Sequence, residues 1–317
     1  MERDGMDVVH FADLTKRYGK QRGIEQLHLT VKQGEMFGFI GPNGAGKSTT
    51  LRTLMQLIHP TSGTIELFGQ RVDRDRPDLR RRIGYLPSEV HFHDDLTGLE
   101  VLDFSARVHG KRLKETPALA DAERLGLDVR KRVKSYSLGN RKKLGIVQCL
   151  LHRPELIVMD EPTSGLDPLM QHTFFDMLRE HNERGATVFF STHVLSEVEK
   201  LCSRVAFIRD GRLLRVSEVD RIPGKDERIA HIRFRQPGNQ IQAYDLTVLD
   251  PGVSFDGSEH RLTLRRPLQA ALRQLSAYDI DDIRIDQPTL EQLFMAEYEA
   301  SPPAPERKRA ADGKEGE

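Results

Sequence analysis

Gly41-Pro42-Asn43-Gly44-Ala45-Gly46-Lys47-Ser48-Thr49 decides how the rest of this chain is read. The stretch fits the pattern of a phosphate-cradling loop, and it follows Met36 to Ile40, an apolar run that reads as a buried strand. Glycines let successive backbone N–H groups converge on phosphate oxygens, Lys47 reaches the β- and γ-phosphates, and Ser48 offers its hydroxyl to Mg²⁺. The helix expected to start near Lys47 also turns its positive end toward the anion. Glycine-rich turns between strand and helix also occur without a ligand, but the full pattern in strand-turn-helix context predicts binding of ATP or GTP.

Such a site needs acids, and two stand at the end of another apolar run, Leu156-Ile157-Val158-Met159-Asp160-Glu161. The run reads as a buried parallel strand delivering carboxylates to its C-terminal edge, where α/β sheets bind ligands. Asp160 is placed to hold Mg²⁺ through water. Glu161 is placed to orient and partly deprotonate the attacking water. Taken alone, two adjacent acids are more often a solvated strand end.

About a helix's length before that strand, Tyr136-Ser137-Leu138-Gly139-Asn140 resembles the signature motif of ATP-binding cassette (ABC) ATPases. Ser164-Gly165-Leu166-Asp167 is similar to that family's dimer-contacting loop, and Ser191-Thr192-His193 to its switch-histidine segment. Tyr18, within Thr15-Lys16-Arg17-Tyr18-Gly19, stands where the family places an aromatic that stacks on adenine. The resemblance runs over residues 8 to 216 with the motifs in family order. It implies an α/β fold of the P-loop NTPase (ABC ATPase) kind, with an antiparallel β annex and a helical subdomain. It implies ATP and Mg²⁺ as cofactors, Lys47, Glu161 and His193 as catalytic residues, and Ser48 and Asp160 at the metal. Nucleotide contacts fall to Tyr18 and to Gly41, Pro42, Asn43, Gly44, Ala45, Gly46, Lys47, Ser48 and Thr49. Ser137 and Gly139 meet the γ-phosphate held by a second cassette.

Two places depart from the family pattern. After Ile83-Gly84-Tyr85-Leu86-Pro87 the family carries glutamine where this chain has Ser88, followed by Glu89. A contact to Mg²⁺ or the attacking water would pass to one of these two. Within the signature, Leu138 replaces the first of two glycines and Asn140 replaces glutamine, while Ser137 and Gly139 are kept. The isobutyl group of Leu138 restricts how closely an opposing subunit approaches.

At 317 residues and 38% hydrophobic content the chain is long enough for two domains with ordinary cores. Lys plus Arg and Asp plus Glu are both 48, so there is no general electrostatic case for nucleic acid or anionic lipid. Arg80-Arg81-Arg82, with Arg74 and Arg76, alternates with Asp73, Asp75 and Asp78 and reads as a solvated face. No apolar run has the length of a membrane span, and Met-Glu-Arg-Asp does not open a signal peptide, so the expected location is the cytoplasm. Cys149 and Cys202 fall in expected helices among apolar neighbours and suit reduced core thiols. His91-Phe92-His93 has no cysteine or carboxylate spacing to complete a zinc site.

Residues 7 to 15 and 24 to 31 alternate as an antiparallel pair would, and residues 48 to 58 give a helix face through Leu51, Leu54, Met55 and Ile58. Residues 88 to 153 read as a helical subdomain that carries the signature at a helix start. Strands return at Leu156 to Met159 and Thr187 to Phe190, then Asp210-Gly211 closes a hairpin. The expected ATP-binding domain is residues 1 to 220. A C-terminal accessory α+β domain follows over 221 to 300, with strands around Ile232 and Phe234, Leu262 and Leu264, and Ile283 and Ile285. Asp256-Gly257 marks a turn, a helix starts at Pro267, and Thr289 and Gln292 form a capping box for a last helix. Residues 301 to 317 read as a disordered tail.

One cassette without a membrane span resembles the ATP-hydrolysing subunit of an ABC transporter, which works with a separate multi-span membrane subunit and a second cassette on the cytoplasmic face of the membrane. Gly84-Tyr85-Leu86-Pro87, Pro288-Thr289-Leu290-Glu291-Gln292-Leu293-Phe294 and the accessory domain resemble the cassettes of drug- and bacitracin-resistance-type exporters. Two alternatives stay open. One is a soluble ABC protein acting on ribosomes or DNA, although neither a second cassette nor a coiled-coil insertion is visible. The other is a cassette driving a regulatory or mechanical envelope task.

Overall fold

Alternating and continuous apolar runs sort the strands of this chain into two kinds of sheet. In the computed structural model the first unit, Met1–Arg221, runs β1 (Asp7–Tyr18), β2 (Gln21–Lys32), β3 (Met36–Ile40), α1 (Lys47–Leu54), β4 (Ser62–Leu67), β5 (Gln70–Arg71), α2 (Pro77–Arg80) and β6 (Ile83–Leu86). It continues with α3 (Gly98–Val108), α4 (Ala118–Arg124), α5 (Leu138–Leu150), β7 (Leu156–Asp160), α6 (Pro168–Glu183), β8 (Thr187–Thr192), α7 (Leu195–Leu201), β9 (Arg204–Arg209) and β10 (Arg212–Glu218). The structure describes residues 5–19, 21–73, 75–222, 227–235, 246, 250, 252–255, 257–264 and 268–288.

The half-apolar strands form an antiparallel sheet in the order β2-β1-β4-β5. The apolar ones, with the polar edge strand β10, form a six-stranded sheet, β10-β9-β3-β8-β7-β6, parallel except for the β9–β10 hairpin. Every residue of β3, β7 and β8 is buried, as strands covered on both faces require. Phe189 of β8 packs edge-on against Phe37 and Phe39 of β3, with ring centroids 5.7 Å apart in both pairs.

Capping fixes the helix starts. Thr97 and Glu100 form a capping box for α3, Ser137 caps α5, and Asp167 caps α6 with Pro168 in the first turn. The first helix is shorter than its apolar face suggests. It stops at Leu54, and Gln56 takes a left-handed φ of 59° as the chain turns toward β4. The strand β4 itself was not expected, because only Ile65 and Leu67 mark its buried side. Cys149 lies within α5, while Cys202 caps the end of α7 rather than lying inside it; both are buried free thiols. Among the described residues no helix is long and apolar enough to cross a membrane.

The second unit, Ile222–Glu317, contains β11 (Arg228–Phe234), β12 (Ser254–Phe255), β13 (His260–Leu264), α8 (Leu268–Leu275) and β14 (Ile280–Asp286). Its strands pair antiparallel in the order β12-β13-β11-β14, over a core of Ala230, Ile232, Phe234, Leu246, Leu262, Leu264 and Leu275. Pro267, Asp256, the capping box at Thr289 and Gln292 with its helix, and the tail from residue 301 lie outside the described residues.

Candidate nucleotide site

β3, β8 and β7 are neighbours, and the segments leaving their C-terminal ends carry Lys47, His193 and Glu161 in turn. Strand order alone therefore gathers three distant stretches of sequence at one sheet edge. The phosphate loop leaves β3 at Gly41, where an added Cβ would lie 2.3 Å from the Ile208 carbonyl oxygen. Gly46 has a φ of 106° and serves as N-cap of α1 with no side chain in the capping role, so nothing of its own competes for the first-turn N–H groups.

A cleft of about 260 Å³ is lined by Tyr18, Gln21, Gly23, Asn43, Gly44, Ala45, Gly46, Lys47, Ser48, Thr49 and Glu161. Tyr18 is 46% exposed, with Lys16 Nζ 5.3 Å from its ring centre. Lys47 is buried; its Nζ donates to the carbonyls of Gly41 at 2.7 Å and Pro42 at 3.3 Å. The same Nζ lies 3.4 Å from Glu161 Oε1.

Asp160 is 1% exposed, and Ser191 Oγ donates to its Oδ1 at 2.6 Å. Its Oδ2 has no partner, an uncommon state for a buried carboxylate oxygen and one that suits a cation or its water shell. Burial, with the Asp160 charge beside it, pushes the Tyr85 phenol up to about 12. Among the described residues no group of three or more His, Cys, Asp and Glu forms a metal cage. A nucleotide-bound Mg²⁺ needs none, since phosphates and waters supply most of its ligands.

Glu161 stands in the left-handed region at φ 48°. Its N–H donates to the Ser191 carbonyl at 3.0 Å, and its own carbonyl accepts from Lys142 Nζ at 3.2 Å. Its Oε2 lies 2.7 Å from His193 Nδ1. Two buried side chains that sequence reasoning missed brace this turn. One is Lys142. The other is Glu197 on α7, which accepts from the hydroxyls of Thr163 and Thr192 and so ties the turn after Glu161 to the strand end before His193. Burial pushes the Glu197 carboxyl upward, against the lowering effect of those two hydroxyls. The available signal for each was its place on the apolar face of a helix, Lys142 ahead of Ile146 and Glu197 ahead of Leu201.

Other sequence candidates lie apart from the cleft. Ser137 Oγ accepts from the Asn140 N–H at 3.3 Å, and Gly139 presses on the turn at Gly165, where an added Cβ would meet the Gly165 carbonyl oxygen at 2.6 Å. Neither Ser137 nor Gly139 lines the cleft of its own chain. Leu138 between them is 70% exposed. Ser88 gives its carbonyl to Lys142 Nζ at 2.8 Å, and Glu89 is exposed beside His91, 3.6 Å away.

A parallel sheet with a phosphate loop, an acid and a histidine at adjacent strand ends defines a P-loop nucleotidase. More narrowly, the chain belongs to the ABC transporter family, as an ABC ATPase: that family's pattern matches residues 24–164, and a relative more than a third identical aligns with over nine-tenths of the chain. It is 38% identical over 300 residues to the bacitracin transport ATP-binding protein BcrA of Bacillus licheniformis, across 91% of this chain and 96% of that one. It is 36% identical over 208 residues to the Nod factor export ATP-binding protein I of Burkholderia orbicola (strain AU 1054), across 64% of this chain and 68% of that one. Among solved structures, the dimeric post-hydrolysis state of the ATP-binding cassette MJ0796 with ADP and Pi matches with a TM-score of 0.61 at 25% identity, covering 67% of this chain and 98% of that chain.

Proposed function

We propose that this chain hydrolyses ATP with Mg²⁺ at the cleft above β3 and β7, and that it drives a separate membrane-spanning subunit in the direction of export. The observation that carries the site is the Glu161 carboxylate, held between Lys47 Nζ at 3.4 Å and His193 Nδ1 at 2.7 Å. Tyr18 stacks on adenine, and the loop from Gly41 to Thr49 holds the phosphates. Lys47 exchanges the carbonyls of its own loop for phosphate oxygens when the nucleotide enters.

Glu161 takes one proton of the attacking water as the water oxygen bonds the γ-phosphorus. The bond from that phosphorus to the bridging oxygen breaks, ADP leaves with the bridging oxygen, and Glu161 returns its proton to solvent. His193, tethered by Glu161, contacts the γ-phosphate and steadies the charge that spreads over it. A Mg²⁺ ion bound here would supply charge neutralisation at the phosphates. Ser48 and Asp160 would hold it, and Ser88 or Glu89 would supply any further contact from the loop after β6.

Ser137 and Gly139 complete the ATP site of a second copy, a pairing supported by their absence from the lining of their own cleft and by the dimeric relative. The membrane partner is supported by the transport and export systems in which the relatives are named. Phe104 and Val108, one turn apart on α3 and both exposed, offer it an apolar surface. That partner would hold the chain on the cytoplasmic face of the membrane.

The test is reconstitution of the full chain with its multi-span partner in vesicles, following phosphate release and cargo movement together. Export requires ATP-dependent cargo movement away from the side carrying the chain. Movement toward that side would overturn the direction, and turnover no faster than that of Lys47→Ala would overturn the site.

A further inference from the structure

A lysine that no motif announces joins three functional segments. Lys142 stands on the apolar face of α5 with Gly145, Ile146 and Cys149 and is 2% exposed. Its Nζ donates to the main-chain carbonyls of Ser88 at 2.8 Å, Glu161 at 3.2 Å and Pro87 at 3.4 Å. An ammonium carries three N–H donors, and three carbonyls meet them. Burial pulls its pKa below the ordinary lysine value, opposed by the Asp160 and Glu161 charges. A buried cation is costly unless its donors are satisfied. Here they are spent on the backbone of two loops.

We propose that Lys142 is a positioning residue for hydrolysis, clamping the Glu161 main chain and the Ser88 loop to the helix that starts at Ser137. The inference rests on the reading of Glu161 as the base. At φ 48° Glu161 occupies the left-handed conformation, which disfavours a residue with a Cβ. Three bonds hold its main chain there: its N–H donates to the Ser191 carbonyl, and its own carbonyl accepts from Lys142 Nζ at 3.2 Å and from the Ser164 N–H at 3.4 Å. With the Lys142 bond removed, only the longer bond from Ser164, within the same turn, restrains the carbonyl; the peptide can then turn and the carboxylate leaves its place between Lys47 and His193. A displacement of about 1 Å at such a group costs about 10²-fold in rate. The same lysine ties the Ser88 loop to this turn through main chain, so the short side chain at position 88 does not loosen the connection.

The test is a double-mutant cycle on the full chain, reading phosphate release and, separately, binding of a fluorescent ATP analogue. Lys142→Met keeps the length and removes the donors. It is expected to lower kcat by about 10- to 100-fold, with nucleotide affinity within about twofold of wild type. Because Lys142 acts through Glu161, the double variant with Glu161→Gln is expected to turn over at the residual rate of Glu161→Gln alone. Lys142→Gln, which keeps two donors, should recover part of the loss, and it carries the same cycle if Lys142→Met does not fold. A wild-type kcat in Lys142→Met, a loss that multiplies with that of Glu161→Gln, or a parallel fall in ATP affinity would each overturn the proposal. Normal turnover by Glu161→Gln alone would overturn the assignment of the base beneath it, a result distinct from all of these.

Discussion

His193 Nδ1 lies 2.7 Å from one oxygen of Glu161, and Lys47 Nζ lies 3.4 Å from the other. One carboxylate thus spans Lys47 and His193, the two groups proposed to face the γ-phosphate. Replacing it with an amide preserves the size and a partner for His193 while removing the basic oxygen. Glu161→Gln is therefore expected to slow hydrolysis by about 10²–10⁴ with ATP binding unchanged. Turnover measured beside nucleotide affinity in the assembled complex decides this, and near-normal turnover would sink the assignment.

The unpartnered Oδ2 of Asp160 makes a second prediction concrete. Asp160→Asn keeps an oxygen for the Ser191 hydroxyl but loses the charge. The Mg²⁺ concentration for half-maximal turnover should rise by about 10–100-fold, and chelation should abolish turnover in both proteins. A titration curve that superposes on wild type would show that the cation is held elsewhere.

Acid should weaken the fold through two histidines. Burial, aided by neighbouring cationic side chains, pulls His152 and His181 from 6.5 down to about 4. Both stay neutral in the folded chain while the unfolded chain takes up protons as pH falls through the ordinary value. Their contribution is present in full above 6.5 and is lost as pH falls toward 4, on the order of 3 kcal/mol each. The ring of His152 makes no hydrogen bond of good geometry beyond a weak one to the Ile83 main chain, so His152→Leu sacrifices little and should flatten the fall of the unfolding midpoint between pH 7 and 4.5. A midpoint equally steep in the variant would assign the acid sensitivity to other groups.

Pairing of two copies can be tested without harming the helix start. Ser137→Asp keeps an N-cap of equal quality for α5, yet places a negative charge where the γ-phosphate of the other copy would sit. In a Glu161→Gln background, ATP and Mg²⁺ should produce a dimer by light scattering, and Ser137→Asp should prevent it while leaving ATP affinity and the unfolding midpoint unchanged. A dimer that forms equally well without nucleotide would point to a permanent interface instead.

The phosphate loop, the acid pair, the signature and the histidine were legible because each is a short run whose chemistry depends on residue type. Strand order was not. Nothing in the chain states that β8 sits between β3 and β7, yet that order is what unites Lys47, His193 and Glu161. Lys142 hid in the polar run Arg141-Lys142-Lys143, where only its phase on the helix separates it from two ordinary surface cations. Glu197 looked like one of many acids, and Thr163 and Thr192, its partners, are remote from one another in sequence. The helix α1 read too long because Met55 and Ile58 continue its apolar spacing past the left-handed Gln56.

Gly139 has no space for even a methyl group, because the carbonyl of Gly165 in its own chain already occupies that volume. A substitution there injures two places at once: the face shown to a neighbour and the turn that follows the chain's own Glu161. In a paired complex containing one altered and one normal copy, the two ATP sites would not divide into one damaged and one intact. The altered copy would present a misshapen signature to its neighbour's nucleotide and a displaced turn to its own, so one lesion would silence both sites.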